Sequence, residues 1–338
     1  MNDTEAKTKK SEASRCARNR RLHSRPFPIA ELPIEKAQKV AASLAGRGNL
    51  VLQMLRALRA HWPEYAIEAA LLGLFMVSAG AFTILLEHPA SPVAAALSDP
   101  FVRRVCGGVA MGLTALGLIF SPLGYRSGAH LNPAVTLSFW RLGKVQTWDA
   151  VFYVLAQFLG GLAGVALVAA FAGTYFSHAA VNYVATVPGY AGAGVAAAAE
   201  FAISFVLMLA VLITSNHPQL TRYTPFVAAA LTAIFITFEA PLSGASMNPA
   251  RTFASSVVGQ IWTALWVYFT APVLAMQCAA ILYRRSGRVV YCAKLHHHNS
   301  ARCIFNCAFG KLAARELGAR ANSSENAASN LQPHRMGC

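Results

Sequence analysis

The sequence predicts an all-α membrane protein with six transmembrane helices and two re-entrant half-helices, arranged as an inverted repeat. Three observations predict this fold. Hydrophobic residues make up 55% of the 338 residues and charged residues only 13%, which is typical of a surface solvated by lipid rather than water. Six apolar stretches have the length of a membrane span. One short motif, Asn-Pro-Ala, also occurs twice in matched surroundings.

The apolar stretches each approach the roughly 20 residues that a helix needs to cross about 30 Å of hydrocarbon. They cover residues 65–86, 101–121, 148–171, 193–214, 224–240 and 262–283. Two shorter segments, 132–140 and 248–258, start at the Asn-Pro-Ala motifs. At about 1.5 Å per residue they reach only half the membrane thickness. We therefore expect two helices that enter the membrane without crossing it.

Basic residues predict which side of the membrane carries the termini. Of 29 Lys and Arg residues, 13 precede residue 61 and 9 follow residue 283, within a formal net charge of +15. An even number of spans places both ends on one side, and basic ends favour the cytoplasmic side of the cell membrane. The lipid bilayer is the expected partner. Nucleic acid is not, because no aromatic residues are interleaved with the basic ones.

Composition divides the chain into three parts. Residues 1–60 are predicted to be a basic, largely disordered N-terminal tail, in which residues 35–60 could form a solvated or membrane-surface helix. Residues 61–284 form the membrane domain, with repeats at about 61–171 and 193–283. Residues 285–338 form a basic C-terminal tail that contains Cys and His residues.

The repeat is clearest around the motifs. SGAHLNPAVTLSFW at 127–140 matches SGASMNPARTFASS at 243–256, and a weaker similarity begins each half at Glu68 and Glu200. Each half therefore contains three spans and one half-span, so the second copy enters the membrane inverted. The functional site of such a repeat lies near the midplane, between the halves.

Asn-Pro-Ala suits the start of a helix inside a membrane. Proline fits the first helical position, where an amide would lack a partner. Asparagine caps the helix through its side-chain oxygen, which leaves its NH₂ group free to donate. Two such starts meeting head to head would combine two donors with two positive helix ends and oppose cations and proton hopping. The motif residues are Asn132, Pro133, Ala134, Asn248, Pro249 and Ala250.

In these motifs the chain resembles the aquaporin, or major intrinsic protein, family. SGAHLNPAVT and SGASMNPARTF are similar to its two signature loops, and the resemblance covers about residues 62–283. It implies a right-handed bundle, a homotetramer with one pore per subunit, and passive passage of water or small neutral solutes without protons or ions. No catalytic residue is expected, because the sequence has no nucleophile–base set or phosphate loop.

The resemblance also implies a filter near the external mouth. Arg251 matches the family's filter arginine, and an arginine this deep is costly unless it faces a wet cavity. Ala245 matches a small loop position that exposes a backbone carbonyl, and Ile236 matches the fifth-helix position. The second-helix position stays open between Met111 and Gly112, because two ways of counting differ by one residue. This filter lacks the aromatic and the histidine usual in strict water channels, so it should be wide and apolar.

Such a filter predicts a water channel that also passes small neutral solutes. Features of glycerol channels are missing, since Thr252 and Ser256 stand where those channels place Asp and Lys. One alternative is a facilitator mainly for glycerol, ammonia, urea, peroxide or a metalloid hydroxide. Another, of a different class, is a membrane-anchored metal-binding scaffold with a vestigial pore.

Two further groups of residues stand out. By resemblance, Glu68 and Glu200 are expected to brace the irregular loops by accepting backbone N–H bonds rather than to touch solute. In the C-terminal tail, thiolate and imidazole ligands could form a four-coordinate Zn²⁺ site, although their spacing matches no usual zinc finger. The alternative is a solvated tail with incidental cysteines, and no other cofactor is expected. The candidate metal ligands are Cys292, His296, His298, Cys303 and Cys307.

Overall fold

The computed structural model describes residues 34–297 and 302–311, with side chains from residue 49 onward. The predictions for residues 1–33 and for His298 lie outside the described residues. Two compact units divide the chain after Arg56, and the second, from Ala57 onward, contains the helical bundle. Within the described residues every regular element is a helix.

Eight main helices carry the fold, and six of them are long and apolar enough to cross a membrane. This confirms the predicted fold class. The eight are α1 Ile34–Glu87, α2 Pro100–Phe120, α3 Pro133–Arg141, α4 Thr147–Ala172, α5 Gly192–Ser215, α6 Thr224–Phe238, α7 Pro249–Gly259 and α8 Leu265–Arg285. Short helical turns lie in the connections at Pro92–Ala96, Pro122–Ser127, Thr174–Ser177, Asn182–Val184, Thr221–Tyr223 and Ala240–Ser243.

The first helix is longer than the predicted span. It runs without interruption from Ile34 through Pro63 to Glu87, and it includes the segment 35–60 for which the sequence allowed a helix. The sequence between Leu50 and Trp62 contains no Gly or Pro, and nothing in it would end a helix.

Small residues bring the helices of each half close together. A Cβ atom added at Gly160 of α4 would lie within 3 Å of the carbonyl oxygen of Ala69 in α1, and one at Gly164 would meet Gly73 in the same way. In the bundle, α2 packs on α6, α5 on α8, and α4 on α7. Glycine at such crossings lets two helix backbones touch. This strengthens van der Waals contact, on which helix association depends in lipid because the hydrophobic effect is absent there.

The two half-helices start in the same unusual way. Each follows a loop in which three residues have left-handed backbone conformations, at positions 116 residues apart in the two halves. Only glycine adopts these angles without strain, so the surrounding structure must hold the other residues there. The residues are Gly128, Ala129 and Leu131 before α3, and Gly244, Ala245 and Met247 before α7.

Residues 288–297 and 302–311, called the C-terminal segment here, fold back onto the bundle. The Tyr291 amide donates to Asn216 Oδ1 at 2.6 Å, and the Leu295 amide donates to the Gly128 carbonyl at 3.1 Å. The end of the bundle that carries this segment is called the C-terminal face. The assignment of residues 285–338 to a cytoplasmic tail stays a prediction; within it, residues of the C-terminal segment have hydrogen-bond partners on the bundle.

The α1–α4 crossing can be tested with a single methyl group. Gly160→Ala should lower the melting temperature of the detergent-solubilised protein by several degrees, because overpacking costs roughly 1–3 kcal/mol. Gly117→Ala is the matched control, since no atom lies within 4 Å of a Cβ there. Equal melting temperatures for the two variants would contradict the close crossing.

Candidate functional site

Each Asn-Pro-Ala asparagine caps its own half-helix. Asn132 Oδ1 accepts the Ala134 amide at 2.9 Å. Asn248 Oδ1 accepts the amides of Ala250 at 3.0 Å and Arg251 at 3.3 Å. A proline follows each cap at the first helical position. The cap therefore satisfies one first-turn amide in α3 and two in α7, in the way that the sequence chemistry predicts.

The same two side chains also tie the halves together. Asn132 Nδ2 donates to the Met247 carbonyl and Asn248 Nδ2 donates to the Leu131 carbonyl, both at 2.7 Å. Each carbonyl belongs to the residue just before the other asparagine. The expectation of wholly free NH₂ groups is therefore wrong: each group gives one hydrogen to the opposite loop and keeps one for the cavity.

Glu68 stabilises the loop before α3. Its buried carboxylate accepts the backbone amides of His130 at 3.1 Å and Leu131 at 2.8 Å. It also accepts the Ser127 hydroxyl at 2.7 Å and the Gln157 amide at 2.9 Å. Four donors thus converge on one charge, and two of them belong to backbone in or beside a left-handed conformation.

Glu200 makes the equivalent set of bonds in the other half. It accepts the amides of Ser246 at 2.6 Å and Met247 at 2.8 Å, and the Ser243 hydroxyl at 2.9 Å. Each carboxylate lies within a span, where an ionised group needs several hydrogen bonds to be tolerated. The two carboxylates therefore hold the loops.

Two tyrosines, whose bonds to the loops the sequence did not predict, complete these braces. The hydroxyls of Tyr153 in α4 and Tyr268 in α8 donate to the carbonyls of Ser127 at 2.7 Å and Ser243 at 2.6 Å. Both rings are fully buried. Their equivalent positions in the two halves were the available signal, although little else in the flanking sequence repeats.

A cavity of about 120 Å³, called the inner cavity here, lies along the junction of the half-helices. Both motif asparagines line it, together with Arg251. Most of its wall is apolar, with side chains such as Leu207 and Val211. At the C-terminal face, the wall includes His130 and Leu295 of the C-terminal segment.

A second cavity, of about 260 Å³, opens toward the opposite face of the bundle and is called the outer cavity here. Arg251 lines this one too. Arg251 therefore stands between the two spaces. Its Nη1 atom is buried and has no hydrogen-bond partner among the described residues. Ile236 also lines the outer cavity, so an apolar side chain and an unsatisfied cationic donor both border it.

The structure distinguishes the two candidates on the second helix. Met111 lines the outer cavity, whereas a Cβ at Gly112 would lie 2.7 Å from the Ala229 carbonyl in α6. Gly112 thus serves the α2–α6 contact and does not face the cavity. The Ala245 side chain packs with Ile203 and Met247 away from both cavities.

The family model described as "Major intrinsic protein" matches residues 65–283. The chain belongs to the major intrinsic protein family. Members of this family are channels and not enzymes. The six apolar helices make the chain a multi-pass membrane protein.

Related proteins agree with this membership. The chain is 38% identical over 177 residues to Aquaporin NIP1-4 of Oryza sativa subsp. japonica, which covers 52% of this chain and 62% of the relative. It is 29% identical over 252 residues to Aquaporin-8 of Mus musculus, covering 73% of this chain and 88% of the relative. The match to "Probable aquaporin NIP-type" of Nicotiana alata is 32% identical and covers 63% of that protein. The chain thus spans less than two-thirds of both plant relatives.

The fold of this major intrinsic protein is similar to a solved structure, "X-ray structure of the aquaglyceroporin from Plasmodium falciparum". The TM-score is 0.53 at 19% identity, over 66% of this chain and 95% of that chain. At this identity the likeness shows the fold alone.

Four side chains of the C-terminal segment form a compact cluster at the C-terminal face. Ligand atoms of Cys292, His297, Cys303 and Cys307 all lie within 4.8 Å of one another. The predicted ligand His296 is not among them; its ring lies 4.9 Å from that of Phe120 and has no place in the cluster. Neighbouring side chains project in different directions, so the spacing alone could not choose between two adjacent histidines.

Charge in this cluster is unevenly shared. The sulfurs of Cys292 and Cys303 lie 3.6 Å apart, and their hydrogen bond, together with that of the His297 ring, lowers the pKa of Cys303 against the opposing effect of burial. The same hydrogen bond, with burial, raises the pKa of Cys292. Burial lowers the pKa of Lys294, whose Nζ donates to the carbonyls of Tyr125 and Arg302 at 2.6 Å.

The loop brace can be tested at its carboxylate. Glu68→Gln should lower the melting temperature and the water flux, because an NH₂ group cannot accept the loop amides and each buried donor left unpaired costs about 1–3 kcal/mol. Thermal unfolding and vesicle shrinkage measure the two effects.

Glu87→Gln is the control for stability alone, since that carboxylate is partly exposed, pairs with Arg103 at 3.0 Å and lines the outer cavity. A Glu68→Gln protein with wild-type stability would contradict the bracing role.

Proposed function

We propose that this protein is a passive water channel with a permissive filter, which excludes protons and ions. The observation that carries the proposal is the position of Arg251 between two cavities, beside the apolar side chains of Met111 and Ile236. Few polar groups line the inner cavity, so few hydrogen bonds hold a water molecule along that part of the route.

Proton exclusion follows from the reciprocal bonds of the half-helices. Each motif asparagine has one N–H left to donate toward the inner cavity, and both lie at positive helix ends. A water molecule that accepts these bonds must direct its own hydrogens outward, which interrupts a chain of proton transfers. A cation meets the same positive helix ends and the arginine.

The filter also supports passage of small neutral solutes. Met111 and Ile236 offer no hydrogen bond, so Arg251 binds the polar side of a molecule that passes them. The second candidate function is therefore a facilitator mainly for glycerol or another small neutral solute such as ammonia, urea, peroxide or a metalloid hydroxide. The apolar pair Met111 and Ile236 favours it, because replacing water by a carbon-bearing solute costs less there.

The proposed setting is the cell membrane, with both termini cytoplasmic and four chains per assembly. The basic residues of the two ends support the orientation. Large apolar side chains on α4 remain exposed in the single chain, including Leu155, Leu159 and Phe171. These face lipid or a neighbouring subunit, as a symmetric assembly of membrane bundles requires.

Proteoliposomes separate the two candidate functions. Stopped-flow light scattering should show faster osmotic shrinkage than in empty vesicles. Re-swelling in glycerol or urea should follow and should be slower than the shrinkage. Water flux equal to that of empty vesicles, together with rapid solute entry, would favour the facilitator and contradict the water channel.

The filter arginine gives a sharper expectation. Arg251→Val should keep water flux while raising glycerol and urea entry several-fold, because the variant widens the constriction and removes its cationic donor. Arg222→Val is the control, since Arg222 lies over the exposed Tyr223 ring away from the cavities. Unchanged selectivity in Arg251→Val would remove this residue from the filter.

A further inference from the structure

We propose that Cys292, His297, Cys303 and Cys307 bind one Zn²⁺ ion, and that this ion holds the C-terminal segment as a cap over the mouth of the channel. The cap rests on the proposed channel function, whereas the metal site does not. Both parts come from the placement of residues 291–297 and 302–309, which lie after the last span.

The donor set has the chemistry and the spacing of a structural zinc site. Such sites take four ligands from cysteine and histidine in tetrahedral geometry, with Zn–S near 2.3 Å, so that two ligand sulfurs lie about 3.8 Å apart. Cys292 Sγ and Cys303 Sγ lie 3.6 Å apart. His297 Nε2 lies 3.1 Å from Cys307 Sγ. A disulfide would need a separation of about 2.05 Å, so the four groups surround a point rather than form a bond.

The surroundings of the cluster favour a metal-bound thiolate set. The Phe309 amide donates to Cys307 Sγ at 3.5 Å, and the Phe309 ring stacks on His297 with centroids 4.1 Å apart. Outer groups of this kind orient ligands and stabilise their charge. Three thiolates and one Zn²⁺ carry a net charge of −1, and the buried Lys294 lies in the same loop to balance it.

The residues enclosed between the ligands are the ones that touch the mouth. Ala293 and Leu295 lie between Cys292 and His297, and Phe305 lies between Cys303 and Cys307. Two ligand pairs thus close two short loops, and a metal ion shared by them fixes both loops at once.

These loop residues cover His130, beside the first motif. The Ala293 carbonyl lies 2.8 Å from His130 Nε2, and the Phe305 ring stacks on the imidazole with centroids 5.4 Å apart. As a result His130 is only 3% exposed. Leu295 enters the wall of the inner cavity. The C-terminal segment therefore narrows the route that a solute must take at the C-terminal face.

The metal site is tested first by measuring the zinc content of the protein. Full-length protein purified without a polyhistidine tag should contain one zinc per chain by mass spectrometry of the metal. Cys303→Ser should lose it, while Cys278→Ser and His296→Ala should retain it as matched controls outside the cluster. A zinc content near zero in the wild type, or an undiminished content in Cys303→Ser, would overturn the site.

The cap is tested by flux in the same protein. A membrane-permeant zinc chelator should raise the water permeability of wild-type proteoliposomes about two-fold or more, because it frees a segment that narrows the mouth. Leu295→Ala should retain zinc and raise permeability without chelator, which separates the cap from any loss of folding. Zinc removal without a change in flux would overturn the cap.

The two proposals fail in different ways. Wild-type protein that binds zinc, yet conducts no water with or without chelator and as Leu295→Ala, contradicts the proposed channel function and the cap. The metal site stands in that case, because its readout is stoichiometry rather than transport.

Discussion

The fold depends on how a broken backbone is satisfied inside a membrane. Hydrocarbon offers no hydrogen bonds, so irregular chain at this depth survives only where protein supplies every partner. Glu68 and Glu200 do this for the two loops before the half-helices, each accepting two backbone amides and a serine hydroxyl. The asparagine-to-carbonyl bonds then join the loops to each other. Without these contacts nothing would offset the strain of the left-handed loop residues.

The proposed channel follows from that arrangement. The polar groups that hold the loops are bonded to one another, so the inner cavity keeps a mostly apolar wall into which the two asparagines and Arg251 project. The second cavity is more polar, with Thr83, Glu87, Arg103 and Arg104 in its wall. The inner cavity thus offers enough hydrogen bonds to orient water and few to retain it. Selectivity then rests on a small number of side chains around the arginine, which explains why a family fold serves both water and small-solute channels.

The C-terminal segment extends the same structure beyond the membrane domain. Its buried Lys294 and the amides of Tyr291 and Leu295 bond to loops of the bundle. Its aromatic Phe305 covers the histidine beside the first motif. A segment of this kind couples the mouth of the channel to whatever stabilises the segment, and the Cys–His cluster is the element best placed to do so.

The sequence alone determined the six spans, the inverted repeat, the capped half-helices and the position of Arg251. These follow from local hydrophobicity, from spacing and from the chemistry of Asn-Pro-Ala, which depend only on the order of residues along the chain. Tertiary structure decided which of two adjacent residues belongs to a site. Met111 rather than Gly112 lines the outer cavity, and His297 rather than His296 lies with the cysteines. It also decided that each asparagine bonds to the opposite loop. Adjacent residues have nearly the same sequence context, and only the packing of distant elements determines which of them faces the site.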